Sequence, residues 1–407
     1  MKKYGLILFF LLFTFHARAA QKVKITISNP TNRQRQEVVE IPAELLVDVQ
    51  PLKVGRNQQV FVRNVLGQQV ESQVTHDGKL LVYAMVRPHG KAQFTVERGT
   101  PNTYRAWTAG AQYPQRADDM AWENDKCAYR MYGPALQRSG ERSFGTDVWV
   151  KNTPELVVAQ RYFQHNDGWK KAQVLRKQGR KAEGDSIFTS QSFHVDHGYG
   201  LDAYRVGATL GLGAPSILLG DSLVMPYCYR DYEILDEGPL RFTVHLIYNK
   251  STIGVHKNVE EHRLVSLDRG SDFNKLTVWY EGMKGDYHLA TGFPIHEEDV
   301  TSYEKGKDML LYADPTDAMK VNNSQVYVGI LFPEGVEKTQ LQTFSQKHDG
   351  AIGHLIGIHH QQNNQPYTYY FGAGWSGSGI ISLEDWKLHA KYAMQNIREP
   401  LAVTHAL

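Results

Sequence analysis

The chain has 407 residues, a formal charge of +2, and 22% charged and 11% aromatic residues, a length that suits two or three domains. So balanced a charge leaves no basic excess to hold nucleic acid or an anionic membrane surface. Two cysteines are too few for a disulfide-dense scaffold, and no CxxC or Cys/His zinc spacing is present.

Residues 1–19 predict a secretory signal peptide. Lys2 and Lys3 precede an apolar run from Tyr4 to Phe15, and Ala17-Arg18-Ala19 places small residues where a signal peptidase reads. The run is shorter than the roughly 20 apolar residues of a permanent span. The expected mature chain starts near Ala20 or Gln21, is periplasmic or secreted, and has no membrane attachment. Loss of Lys2, Lys3 and Arg18 takes its charge slightly negative. ATP and reduced nicotinamide are scarce outside the cytoplasm, which leaves hydrolysis, elimination, isomerisation and binding.

Residues 20–100 read as a small β-sandwich. Val23–Ile27 alternates, Asn29-Pro30-Thr31-Asn32 is a turn, and short β-rich runs follow at 38–42, 59–62, 80–83 and 92–96. Residues 100–120 look like a linker or a surface-crossing segment. Beyond 121 the runs lengthen: 147–150, 156–159, 241–248, 260–267, 275–281, 325–332 and 354–360. Long antiparallel neighbours imply two large sheets packed face to face within 101–407. A helix over 383–398 closes the chain. Ser382 caps it, Asp385 takes the capping-box position, and Leu383, Trp386, Ala390, Ala393, Met394 and Ile397 share one face before Pro400. Cys127 and Cys228 either pair across a long loop or remain buried thiols.

Four clusters carry candidate chemistry. His194-Val195-Asp196-His197-Gly198-Tyr199-Gly200-Leu201-Asp202, with Tyr204 and Arg205, gathers imidazoles, carboxylates, phenols and a guanidinium within twelve residues. Histidine is the natural acid or base near neutral pH; a polar structural loop is the alternative. Trp122 to Pro134 contains Glu123, Asp125, Tyr129 and Arg130, suited to sugar hydroxyls, a cation or a substrate carboxylate, or else to core packing and an ion pair. His296, before the acids Glu297-Glu298-Asp299, forms either a site lip or a solvated turn. His359 and His360 are adjacent on a strand, so at most one of them faces a given pocket, and Trp375 between glycines suits a sugar platform or a buried ring. No GxSxG, HExxH or P-loop is present.

The Trp122–Pro134 and His194–Arg205 blocks, Gly292-Phe293-Pro294, Tyr370-Phe371-Gly372-Ala373-Gly374-Trp375-Ser376 and Glu384-Asp385-Trp386 carry a resemblance. The chain resembles an uncharacterised secreted bacterial family, a domain of unknown function common in polysaccharide-utilisation gene clusters. That family looks related to the galactose-mutarotase-like supersandwich. The resemblance implies a mainly β fold, a small N-terminal sandwich before a large supersandwich, and a glycan ligand. It supplies no catalytic residues, and fold does not dictate function.

The expected activity is β-elimination on a uronate-containing oligosaccharide, as a lyase or a dehydratase. Arg130 or Arg205 would neutralise the uronate carboxylate, His194 or His197 would take the α-proton, and Tyr199 would protonate the leaving oxygen or serve as the base itself. Trp122, Glu123, Tyr129, His296, Glu297, His359 and Trp375 would bind substrate. A glycoside hydrolase, an epimerase or mutarotase, and a non-catalytic glycan-binding protein are the alternatives. No cofactor is required. A zinc ion near Asp196 or a calcium ion on Glu123 and Asp125 is compatible with the residues.

Overall fold

The computed structural model describes residues 22–54, 57–225, 227–296, 302–315, 324–362 and 365–406. The expected signal peptide and Glu297 lie outside these residues. The described chain is mainly β, in antiparallel sheets, with a C-terminal helix.

The N-terminal sandwich packs a five-stranded sheet on a three-stranded one. The first runs in the order Ala402–His405, Lys22–Ser28, Lys91–Arg98, Val60–Asn64, Gln69–Val70; the second in the order Arg35–Ile41, Leu80–Val86, Ser72–Val74. Alternate residues point inward, so Ile25, Ile27, Val39, Ile41, Val62, Val82 and Val96 form one core. The end of the chain closes this unit. Ile27 pairs with Val403, and Leu401 enters the same core. Residues 20–100 therefore do not make the sandwich alone.

The large unit has two layers. One is a nine-stranded sheet from Tyr229–Glu237 to Tyr303–Lys305. The other joins two five-stranded sheets. The first is ordered Leu201–Asp202, Thr146–Val150, Cys127–Met131, Asp119–Glu123, Ala109–Tyr113; the second Ser222–Val224, Pro215–Leu219, Tyr287–Ile295, Ala351–Gln361, Lys338–His348. They meet where Leu212 N–H donates to Thr146 O (2.8 Å) and Gly213 N–H to Gly292 O (2.9 Å). Trp122, Val148, Phe293 and Leu355 from this layer share a core with Val244, Val265, Leu276 and Val328 from the nine-stranded sheet. The expected linker contributes an edge strand, Ala109–Tyr113.

Helix α1 is short, Pro134–Ser139. Two further helices, α2 (Val158–Lys177) and α3 (Lys181–Gln191), form a hairpin over the outer face of the first five-stranded sheet. The expected strand over 156–159 instead leads into α2. Glu123 decides this: its Oε1 accepts from Val158 N–H (2.7 Å) and its Oε2 from Val157 N–H (3.0 Å), satisfying two of the helix's orphan donors. Helix α4 (Leu383–Arg398) is as expected, with Ser382 Oγ accepting from Asp385 N–H at 3.1 Å. Trp386 and Met394 seat it on Phe273, Leu311 and Leu331 of the nine-stranded sheet. Cys127 and Cys228 are free, buried thiols.

Candidate functional site

Period-two alternation sorts the first five-stranded sheet into two faces. Met120, Trp122, Tyr129, Met131 and Val148 face the nine-stranded sheet. The odd residues of Asp119–Glu123, the even residues of Cys127–Met131, and Asp147 and Trp149 face α2 and α3. Arg130 and Asp147 are cross-strand partners. Arg130 thus gathers three carboxylates: Asp147 on Nη2, Asp202 on the same nitrogen (3.1 Å), and Asp119 at 3.6 Å from Nη1. Tyr162 of α2 donates to Asp119 (3.1 Å).

Three carboxylates and one guanidinium would bury excess negative charge, which is costly. Burial pushes the Asp147 carboxyl up to about 7, with Arg130 opposing and Asp202 adding. Burial raises Asp119 as well. Arg130 is 6% exposed and committed to these acids, so it does not meet a substrate carboxylate as expected. Its role is to hold the sheet to the helical hairpin.

The His194–Arg205 block does not converge on one site. Arg130 and His194 meet only through Asp202, whose carbonyl lies 3.2 Å from His194 Nδ1; the His194 ring is largely exposed. His197 Nε2 lies 3.0 Å from Ser192 O. Tyr199 donates to Gln164 of α2 (2.7 Å). Asp196 Oδ1 accepts from Gly198 and Gly200 N–H (2.8 and 2.9 Å), closing its own loop. These groups lock the loop after α3.

Most expected binding residues are likewise interior. Trp122 is fully buried and donates to Asn274 (2.8 Å). Tyr129 is buried behind Asp272 and Ala373. Glu123 pairs with buried Lys151 (2.5 Å) while capping α2. Asp125 accepts from Gly270 N–H (2.7 Å), which engages the carboxylate expected to bind calcium. Trp375 is buried in the main core. His359 stacks on Tyr367 at 3.9 Å. None of these rings offers an open platform.

Arg205 and His296 do come together, with residues the sequence did not single out. His296 follows Tyr287–Ile295, and Asp314 ends Met309–Asp314 in the opposite layer. His296 Nδ1 and Asp314 Oδ2 are 2.7 Å apart, and His296 N–H donates to Tyr312 Oη (3.0 Å). With Nδ1–H held by the carboxylate, Nε2 carries the lone pair. Nε2 is buried and has no hydrogen-bond partner. Arg205 and His296 both abut the turn at Gly350, where φ is +88°. A Cβ there would lie 2.9 Å from Arg205 Nη1 and 3.9 Å from His296 Cδ2, so glycine fits both the backbone and the contact.

Tyr204 links the two clusters. Its buried hydroxyl has no partner. Burial, then Asp314, Tyr312, Asp147 and Tyr132, holds it well above the ordinary tyrosine value, so it stays a proton donor. Nearby His354 is driven down to about 3 by burial and by His348 and His296, which keeps it neutral. Its Nε2 accepts from Leu210 N–H (3.1 Å). An oriented histidine, a protonated phenol and an arginine at one end of the sandwich can remove a proton, donate one and neutralise an anion.

A relative from Formosa agariphila, the uncharacterized protein P7, is 25% identical over 341 residues, covering 80% of this chain and 77% of its own. Among solved structures, a protein in glycosyl hydrolase family 38 from Enterococcus faecalis superposes with a TM-score of 0.51 at 10% identity over 95% of this chain. An α-mannosidase from Enterococcus faecalis V583 gives 0.48 at 9% identity, also over 95% of this chain. This chain spans about half the length of those structures, 48% and 46%. Residues 27–403 match the domain of unknown function DUF4861, and the chain belongs to that family.

Proposed function

We propose that this protein is a carbohydrate-active enzyme that acts on uronate-containing oligosaccharides by β-elimination, centred on His296. The observation that carries the reading is the buried, unpartnered Nε2 of an Asp-oriented histidine beside Arg205. A proton α to a carboxylate leaves readily only if the carboxylate is neutralised, a base is aimed and the leaving oxygen is protonated. Arg205 pairs the uronate carboxylate and stabilises the enolate. His296 Nε2 takes the proton, while Asp314 fixes the tautomer and steadies the imidazolium. The Tyr204 phenol protonates the departing oxygen. Both reacting atoms are covered, so the rim must open to admit substrate.

A fold shared with a glycosyl hydrolase family 38 protein supports a saccharide ligand. Secretion, expected from residues 1–19, fits an enzyme that meets glycans outside the cytoplasm. Hydrolysis by the acids around Arg130 is less well supported: Asp147 and Asp202 share that guanidinium, and both are buried.

The test incubates purified protein with a panel of uronate oligosaccharides and follows ultraviolet absorbance and reducing ends in parallel. Elimination creates a 4,5-unsaturated uronate, so absorbance rises. New reducing ends without absorbance would reassign the protein to hydrolysis. Binding without any product would make it a recognition protein.

A further inference from the structure

A second constellation lies on the outer face of the nine-stranded sheet, away from His296. Strand His256–Asp268 sends Glu261 and Arg263 inward as a buried pair (2.5 Å), so alternation sends Glu260 and His262 outward. On the next strand, Phe273–Glu281, Glu281 is the direct cross-strand partner of Glu260, and Trp279 that of His262. Two glutamates directly opposite each other repel, so a cation between them would turn that cost into a gain.

His262 supplies an independent reason to expect one. Its side chain is only 7% exposed, and its Nε2 is buried with no hydrogen-bond partner. That atom points at Glu260 Oε1 (3.4 Å) and Glu281 Oε1 (3.6 Å), and all three donor atoms lie within 4.8 Å of one another. A metal bound at 2.0–2.2 Å in tetrahedral geometry separates its ligands by about 3.3–3.6 Å, which matches the two spacings from His262 Nε2 to the glutamates. Neighbours fix the set. His262 Nδ1 is 3.1 Å from His245 Nε2, and its ring stacks on Trp279 at 4.9 Å. Arg230 holds the other Glu260 oxygen (2.9 Å). With Nδ1 donating to His245, Nε2 presents its lone pair to the metal, as a ligand oriented from behind does.

We propose that Glu260, His262 and Glu281 bind one divalent first-row metal ion of the zinc class. Imidazole and two carboxylates suit such an ion. Glu281 is 66% exposed, so the fourth position faces solvent and takes water. The site ties two neighbouring strands of the nine-stranded sheet together where Phe273–Glu281 ends.

The test strips the full-length protein with chelator and titrates it with Zn²⁺ by calorimetry, and with Co²⁺ by visible absorbance. One equivalent should bind. Glu281→Gln changes an exposed residue and should preserve the fold; with His262→Gln it should weaken binding at least 10-fold and remove the Co²⁺ bands. His360→Gln should leave both unchanged, because it alters only the exposed trio His288, Glu337 and His360, which also lies within ligand distance. Failure to bind, retention of full affinity in Glu281→Gln, or loss in His360→Gln would each overturn the assignment.

Discussion

Replacing Asp147 by asparagine should flatten the pH dependence of folding stability between pH 4 and 7. In the folded chain Asp147 is fully enclosed and its carboxyl is raised to about 7, whereas an unfolded aspartate titrates near ~3.9. Between those values the folded state holds a proton that the unfolded state has released. Its contribution is complete below the unfolded value and is lost as pH rises through the folded one, with a slope of at most about 1.4 kcal/mol per pH unit. Over the window the ceiling is about 4 kcal/mol, less any share of the proton that passes to Asp119 or Asp202. The assay is urea unfolding at pH 4, 5.5, 7 and 8, followed by tryptophan fluorescence. The wild type's stability should fall relative to the variant's as pH rises, because only the wild type loses this term. Curves that run parallel across the window would show that Asp147 ionises normally, and the account of the Arg130 cluster would fail.

Other substitutions test the remaining supports. Glu123→Ala strands the buried Lys151 ammonium and frees the first turn of α2, so stability should fall by about 3–5 kcal/mol in the same denaturation assay; a loss under 1 kcal/mol would remove Glu123 as the reason α2 starts there. Trp386→Ala empties the seat of α4 and should cost about 3–5 kcal/mol, read as a lowered thermal midpoint. Burial pushes both thiols up to about 12; a thiol reagent should leave Cys127 and Cys228 unreacted in the native protein and find two thiols in denaturant. Finding none after denaturation would reveal a disulfide.

The sheets and α4 were legible because their residues obey one period. The strand Val23–Ile27 alternates, and Ser382, Trp386, Ala390 and Met394 recur at helical spacing behind a cap. The hairpin of α2 and α3 was not, because the buried face of α2 mixes apolar residues with a charged one and a glycine. Arg161, Gly168 and Ala172 point inward, while Phe163 and Trp169 are exposed. Gly168 lies inside because a Cβ there would come within 2.4 Å of Gln191 Cβ. Hydrophobic periodicity reads such a helix backwards. Among site residues, Arg205 and His296 were visible as polar residues in conspicuous clusters. Asp314 was not, since it reaches His296 only across two layers. The alternation Leu310, Tyr312, Asp314 was the available signal: it places the carboxylate on the inner face of the strand's end. His194, His197, Tyr199 and Asp196 form a dense polar loop, which reads the same in sequence whether it grips a substrate or its own helices.

The most direct measurement compares wild type, His296→Ala and His194→Ala for the rate of absorbance increase on a uronate oligosaccharide that the wild type turns over. With His296 as the base, its alanine variant should lose about 10²–10⁴-fold in kcat, with circular dichroism unchanged, while His194→Ala stays close to wild type. A His296→Ala variant that retains full turnover would contradict the account.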